Sequence, residues 1–109
     1  MKVSDLCHVL GARVLCGDAD REFCGVYVGD LLSRAMSRVE ADGVWVTIMV
    51  NVNVVAVANL TDPAAIVLAE DVELQPDAMK AARENDLCVL SSPMSAYEIC
   101  CAIGAQTGA

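Results

Sequence analysis

The sequence predicts an α/β fold of three layers, a mostly parallel central sheet of about five strands with helices on both faces. Three observations predict it. From Val44 onward, short apolar runs alternate with helix-period segments, the order of right-handed βαβ units. One run, Ala64 to Ala69, is apolar without interruption, as suits a parallel strand covered on both faces. Apolar residues make up 56% of the chain and aromatics only 4%. The core must then be built from Val, Leu, Ala, Ile and Met, which fits a small layered fold. A length of 109 residues predicts a single domain, 1–109, with one modest core.

Each element has a local reason. Ser4 is placed to cap a short helix through Leu10, which Gly11 ends. Ala12 to Cys16 reads as a strand, and Gly17-Asp18-Ala19-Asp20 as a turn. Glu22 to Val28 is a second strand in which Gly25 allows a bulge or a close backbone approach. Asp30 caps a helix to about Glu40, with Leu32, Met36 and Val39 on one face, Leu31 and Ala35 beside it, and Arg34, Ser37 and Arg38 outward. Asp42-Gly43 stops it. Val44 to Val50 is the third strand. Asn51 or Asn53 caps the next helix, which runs to about Leu60 and is apolar nearly all round. Such a helix is either wholly buried or packed against a second chain. After Thr61-Asp62-Pro63 comes the fourth strand, Ala64 to Ala69. Pro76 opens a helix to about Glu84, with Asn85 as its stop. Leu87 to Leu90 is the fifth strand. Ser95 and Glu98 form a capping box for the last helix, whose core stripe is Ala96, Ile99, Cys100 and Ile103, with a frayed tail beyond.

Composition excludes several classes. The net charge is −8, and the seven basic residues (Lys2, Arg13, Arg21, Arg34, Arg38, Lys80, Arg83) form no patch in sequence. Nucleic acid and anionic lipid are therefore disfavoured as partners, since phosphate contact needs clustered Lys or Arg. Six cysteines with no C-x-x-C, a single His8 and no signal-peptide pattern at the start read as free thiols packed among Val and Leu in a reducing cytoplasm, with no metal site. Gly43 to Thr61 holds no charge, nearly the length of a membrane span, but Asn51, Asn53, Asn59 and Thr47 lie within it. A buried strand followed by a buried helix explains it better.

In an open α/β sheet, ligands gather beyond the carboxyl ends of the strands. Three strand-to-helix junctions qualify: Tyr27-Val28-Gly29-Asp30, Met49-Val50-Asn51-Val52-Asn53 and Leu90-Ser91-Ser92-Pro93-Met94-Ser95. Free N–H groups at helix starts can hold an anion. The Asp30 carboxylate would repel a phosphate at the first junction, so Asn51, Asn53, Ser91, Ser92 and Ser95 make the better anion sites, with Arg21 supplying charge from the preceding turn. The plainer reading makes Asp30, Asn53 and Ser95 helix caps and nothing more. No catalytic constellation is evident. Asp20, Asp30 and Cys24 are the only nominees for one, and neither a G-x-x-x-x-G-K-[ST] loop nor a G-x-G-x-x-G occurs. No cofactor is expected.

The stretch Asp20-Arg21-x-x-Cys24-Gly25-x-Tyr27-x-Gly29-Asp30-Leu31-Leu32-Ser33 resembles the signature of DRTGG domains. W-V-T-I-M-V-N-V-N-V-V-A-V-A-N-L, A-A-I-V-L-A-E and S-S-P-M-S-A-Y-E look like the rest of that domain. The resemblance covers nearly the whole chain. It departs at Cys24, where the family usually carries Thr, and at Val26, where it usually carries a second Gly. DRTGG domains are similar to the N-terminal domain of HPr kinase/phosphorylase, without the kinase's phosphate loop, and accompany CBS domains or phosphotransacetylase in other proteins. The resemblance implies a non-catalytic regulatory module that binds a small anion or nucleotide at the carboxyl ends of the strands. The alternative is a homodimeric interaction adaptor joined through the Asn51-to-Leu60 helix. A small enzyme of unknown reaction is the remote alternative.

Overall fold

The computed structural model describes residues 1–107. Its elements run α1 (Val3–Leu10), β1 (Arg13–Cys16), β2 (Val26–Val28), α2 (Leu32–Arg38), β3 (Val44–Thr47), α3 (Val52–Thr61), β4 (Ala65–Leu68), α4 (Pro76–Glu84), β5 (Val89–Ser91) and α5 (Ala96–Thr107). The sheet has five strands in the order β1-β5-β4-β3-β2. Strands β2 to β5 are parallel, and β1 is antiparallel to β5.

The connections β2-α2-β3, β3-α3-β4 and β4-α4-β5 each step one strand in the same direction. Crossovers of one hand that step one way must leave their helices on one face. Accordingly Ala35 of α2, Val54 and Ala58 of α3, and Ala78 and Ala82 of α4 share a core with Trp45, Ile66, Leu68 and Val89. The other face is covered by α1 and α5, where Leu6, Leu10, Ile99 and Ile103 pack on Val44, Val46, Ala65, Val67 and Leu90. The period-two alternation of a strand thus divides β3 and β4 between two cores, which is why both are fully buried.

Several elements differ from the sequence reading, each for a local reason. Helix α1 begins at Val3 rather than behind a Ser4 cap, because the Lys2 N–H donates to the Asp5 carboxylate at 2.8 Å. Residues Glu22 to Gly25 do not extend β2. Gly25 takes a left-handed φ of 72°, and the chain before it turns to the N-terminus, with a Lys2–Glu22 bridge and a hydrogen bond from Phe23 N–H to the Met1 carbonyl. Asp30 does not cap α2. Leu31 holds the cap position without a side-chain bond, and α2 ends at Arg38. Ala35 and, just past the helix, Val39 are buried and Leu32 packs on the same core as read, while Leu31 and Met36 are exposed.

Strand β3 stops at Thr47, because the next N–H, that of Ile48, is taken by the Asp30 carboxylate. Helix α3 is capped by Asn51, whose side chain accepts from Asn53 N–H at 3.0 Å. Asn53 itself lies in the first turn. The apolar face of α3 is largely spent inside its own chain: Val54, Val55, Val57 and Ala58 are buried, leaving Val52, Asn53, Ala56, Asn59 and Leu60 outside. The charge-free stretch is therefore a strand and a helix, and among the described residues no helix is long and apolar enough to cross a membrane. The last helix continues past Ile103 to Thr107 without the expected fraying. Gly108 and Ala109 lie outside the described residues. The Ser95–Glu98 capping box forms as read, with reciprocal bonds of 3.0 and 3.2 Å. Hydrogen bonding to Ser95, its backbone N–H first and its hydroxyl second, holds the Glu98 carboxyl below its ordinary range.

Candidate functional site

The carboxyl rim gathers the three junctions, but most of their polar side chains are already engaged. The Asp30 carboxylate accepts from the Thr47 hydroxyl at 2.6 Å and from Ile48 N–H at 3.1 Å. The Gly29 carbonyl accepts from the Trp45 indole N–H at 3.0 Å, and Gly29 N–H donates to the Val46 carbonyl. The hydroxyls of Ser91 and Ser92 are buried, donating to the carbonyls of Val72 and Leu10 at 2.7 Å each. Ser95 and Asn51 are occupied as caps, which leaves Asn53 exposed. The loops after β4 and β5 lead to helices on opposite faces, where a crevice is expected. Here the crevice is laced shut by Glu70 N–H to the Met94 carbonyl and Asp71 N–H to the Ser92 carbonyl, both 2.8 Å. The charge at this rim is mainly acidic (Asp30, Glu70, Asp71, Glu73), and Arg13, on β1, already pairs with Asp71 at 3.4 Å.

Arg21 does not join the rim. It lies at the amino end of the sheet, where its Nε donates to Asp42 Oδ1 at 2.6 Å and its two Nη groups fork onto the Asp62 carboxylate at 3.1 and 3.2 Å. Asp42 precedes β3, and Asp62 is the left-handed C-cap of α3 before β4. Arg21 is a clasp between two connections, and bonding to both carboxylates, Asp62 foremost, pushes its guanidinium pKa up. The sequence reading placed Arg21 beside the rim because β2 is near it in sequence. The strand in fact carries Arg21 and Asp30 to opposite ends of the sheet. The same separation divides Asp20, which pairs with Lys2 at 3.0 Å, from Asp30. Cys24 is exposed, with its thiol 3.7 Å from the Ala41 carbonyl. The three nominated catalytic groups are not brought together. Among the described residues, no group of three or more His, Cys, Asp or Glu is arranged to hold a metal ion.

Two grooves flank β2. One, of about 680 Å³, runs between β2 and α2 and is lined by Tyr27, Arg34, Ser37, Arg38 and Glu40 above Gly25 and Gly43. Among the described residues, Arg34 and Arg38 form no ion pair. Two unpaired guanidiniums one helical turn apart are conspicuous in a chain of net charge −8. Tyr27, a predicted site residue, is half-buried and forms one wall. The sequence reading assigned both arginines to a solvated helix face; their i, i+4 spacing was the available signal. The second groove, of about 700 Å³, lies on the opposite side of β2. It is mostly apolar, with Met1, Phe23, Val26, Val28, Cys100 and Ile103 among its lining residues.

The family model of the DRTGG domain matches residues 5–105. The chain belongs to the DRTGG domain family. The DRTGG signature stretch is thus the segment clasped at both ends of the sheet, by Arg21 and by Asp30, with β2 between. Its departures from the family pattern fall on the surface: Cys24 is exposed, and Val26 extends the edge strand where a second glycine is usual. The fold is similar to that of the CBS and DRTGG domains of the regulatory region of Clostridium perfringens pyrophosphatase, a structure complexed with the activator diadenosine tetraphosphate. The TM-score is 0.76 at 9% identity, over 93% of this chain and 45% of that one. This DRTGG chain therefore spans less than half the length of that neighbour. No curated protein matches it.

Proposed function

We propose that this DRTGG domain is a non-catalytic regulatory module that takes an anionic effector of nucleotide type in the cleft between β2 and α2. The observation that carries the reading is the pair Arg34 and Arg38, free of carboxylate partners among the described residues and facing one cleft with Tyr27. Guanidinium groups match phosphate oxygens in geometry and charge, and the Tyr27 ring offers an apolar wall. The neighbour's complex with a dinucleotide polyphosphate supports the choice of ligand class. The cleft is favoured over the carboxyl rim because the Ser91 and Ser92 hydroxyls and the Asp30 carboxylate already have partners within the fold, and the rim's charge is mainly acidic.

Thermal denaturation with AMP, ATP and diadenosine tetraphosphate tests the reading. A ligand at about 100 times its Kd stabilises by about 2.7 kcal/mol, which raises Tm by several degrees in a domain of this size. The rise should vanish in the R34E/R38E variant. Unchanged Tm in the native sequence at millimolar nucleotide refutes ligand binding of this class. A rise that survives in R34E/R38E moves the site away from the cleft.

A further inference from the structure

Strand β2 closes one edge of the sheet, and among the described residues its outer side meets no strand. On the inner side, the Gly25 carbonyl accepts from Val44 N–H, Tyr27 stands in register with Trp45, and Gly29 N–H donates to the Val46 carbonyl. Alternate residues of a strand address one neighbour. The N–H and C=O groups of Val26 and Val28 therefore point outward, unpaired among the described residues. The register is regular, the sequence Val-Tyr-Val carries no charge or proline, and both valines are 42% exposed. An open, apolar, regular edge is a template for another strand.

We infer that this edge pairs with β2 of a second copy, antiparallel about a twofold axis at Tyr27, joining the two five-stranded sheets into one. The geometry is self-complementary in three respects. Val26 of each copy faces Val28 of the other and exchanges both backbone hydrogen bonds, because these are the residues with outward groups. The four valines then meet on one face, beside the apolar groove of Phe23 and Ile103. On the other face α2 runs back against β2, so Arg34 lies toward the Gly29 end. The Glu40 carboxylate lies at the Gly25 end, 3.6 Å from where a Cβ on Gly25 would stand. A twofold axis places the Gly25 end of one copy against the Gly29 end of the other, so Glu40 meets Arg34 across the seam. Neither residue has an ion-pair partner among the described residues of its own chain. The axis repeats this Glu40–Arg34 pair twice, as an isologous contact requires, and the pair selects a second copy over an unrelated peptide.

The test is sedimentation velocity of the chain without nucleotide, over micromolar to millimolar concentrations. The native sequence should sediment as a dimer. V28K, R34E and E40R should each weaken the dimer by about tenfold or more, while the R34E/E40R double variant should restore it. L60E, on the exposed face of α3, should leave it intact. A monomer throughout the range overturns the inference. So does a dimer that survives V28K, or one that L60E abolishes. Far-UV circular dichroism of V28K guards against unfolding as the cause. Arg34 serves both this contact and the ligand reading. V28K leaves both arginines in place, so a failure of dimerisation is distinguishable from a failure of nucleotide binding.

Discussion

The two edges of the sheet are built differently, and side-chain exposure is not what separates them. Val14 on β1 is 47% exposed, slightly more than Val26 and Val28 on β2. The difference lies in backbone and charge. Strand β1 carries a register shift between Val14 and Cys16 against β5, and it begins with Arg13, paired to Asp71. A bulge and a charge are two ordinary ways to blunt an edge against further pairing. Strand β2 has neither. It is held at both ends, by Arg21 on Asp42 and Asp62 and by Asp30 on Thr47 and Ile48, and is open along its length. The lesson is that clasps at the ends of an edge strand fix its position without closing its outer hydrogen-bonding row.

The contrast can be broken first at its glycines. Gly17 ends β1 with φ 84°, and a Cβ there would lie 2.3 Å from the Leu87 carbonyl oxygen and 2.5 Å from the Cys88 Cα. Both are backbone atoms, so G17A should destabilise by about 3 kcal/mol or more in urea unfolding. Gly25 beside β2 has φ 72°, but the nearest atom to a Cβ is the flexible Glu40 carboxylate at 3.6 Å. G25A should cost only the left-handed conformation, about 1–2 kcal/mol. Equal losses would mean that the two edges are not packed as described.

The clasps come next. D30N keeps the size of the side chain but weakens the bonds from the Thr47 hydroxyl and Ile48 N–H, and should cost about 1–2 kcal/mol. R21M removes the fork onto Asp62 and the bond to Asp42. The group is more than one-third exposed, so solvent screening holds its cost to about 1 kcal/mol. If the clasps also position the edge, hydrogen exchange of the β2 amides should quicken in both variants, while β1 amides are unchanged.

The smallest effects are read from thiols. Cys16, on β1, is buried with its thiol 3.4 Å from the Leu87 carbonyl, whereas Cys24, before β2, is exposed. A thiol reagent should modify Cys24 and exposed Cys101 at once and Cys16 only on opening of the fold. Burial also pushes the Cys88 thiol from its ordinary 9.0 up to about 12. A raised folded pKa means the support is fully present below the unfolded value and is lost as pH rises toward the folded one. Stability should therefore decline from about pH 9 toward about pH 12, more shallowly in C88A, as followed by urea unfolding at each pH.

Most of the fold was legible because local and long-range requirements coincide. Pro76 and Asn85 bound α4 as read, and Ser95 with Glu98 starts α5, because a cap is settled by residues within one turn. The uninterrupted run around β4 announced a strand buried on both faces. The misreadings arose where a residue serves a distant partner. Asp30 has the sequence position of a helix cap, but Thr47 and Ile48 claim its carboxylate. Ser91 and Ser92 look like a ligand loop, yet their hydroxyls answer the carbonyls of Val72 and Leu10. Arg34 and Arg38 passed for solvated surface, since nothing within α2 shows that β2 faces them across a cleft.

By itself the sequence determined the α/β class, the order of elements, the ends of α4, the capping box of α5 and the family, for these depend on periodicity and on contacts within a few residues. Only the tertiary structure decided which end of the sheet receives each charge, which hydroxyls remain for a ligand, and which edge stays open. Those outcomes depend on strand order and crossover direction, which place Arg21 and Asp30 at opposite ends of the sheet although fewer than ten residues separate them in the chain.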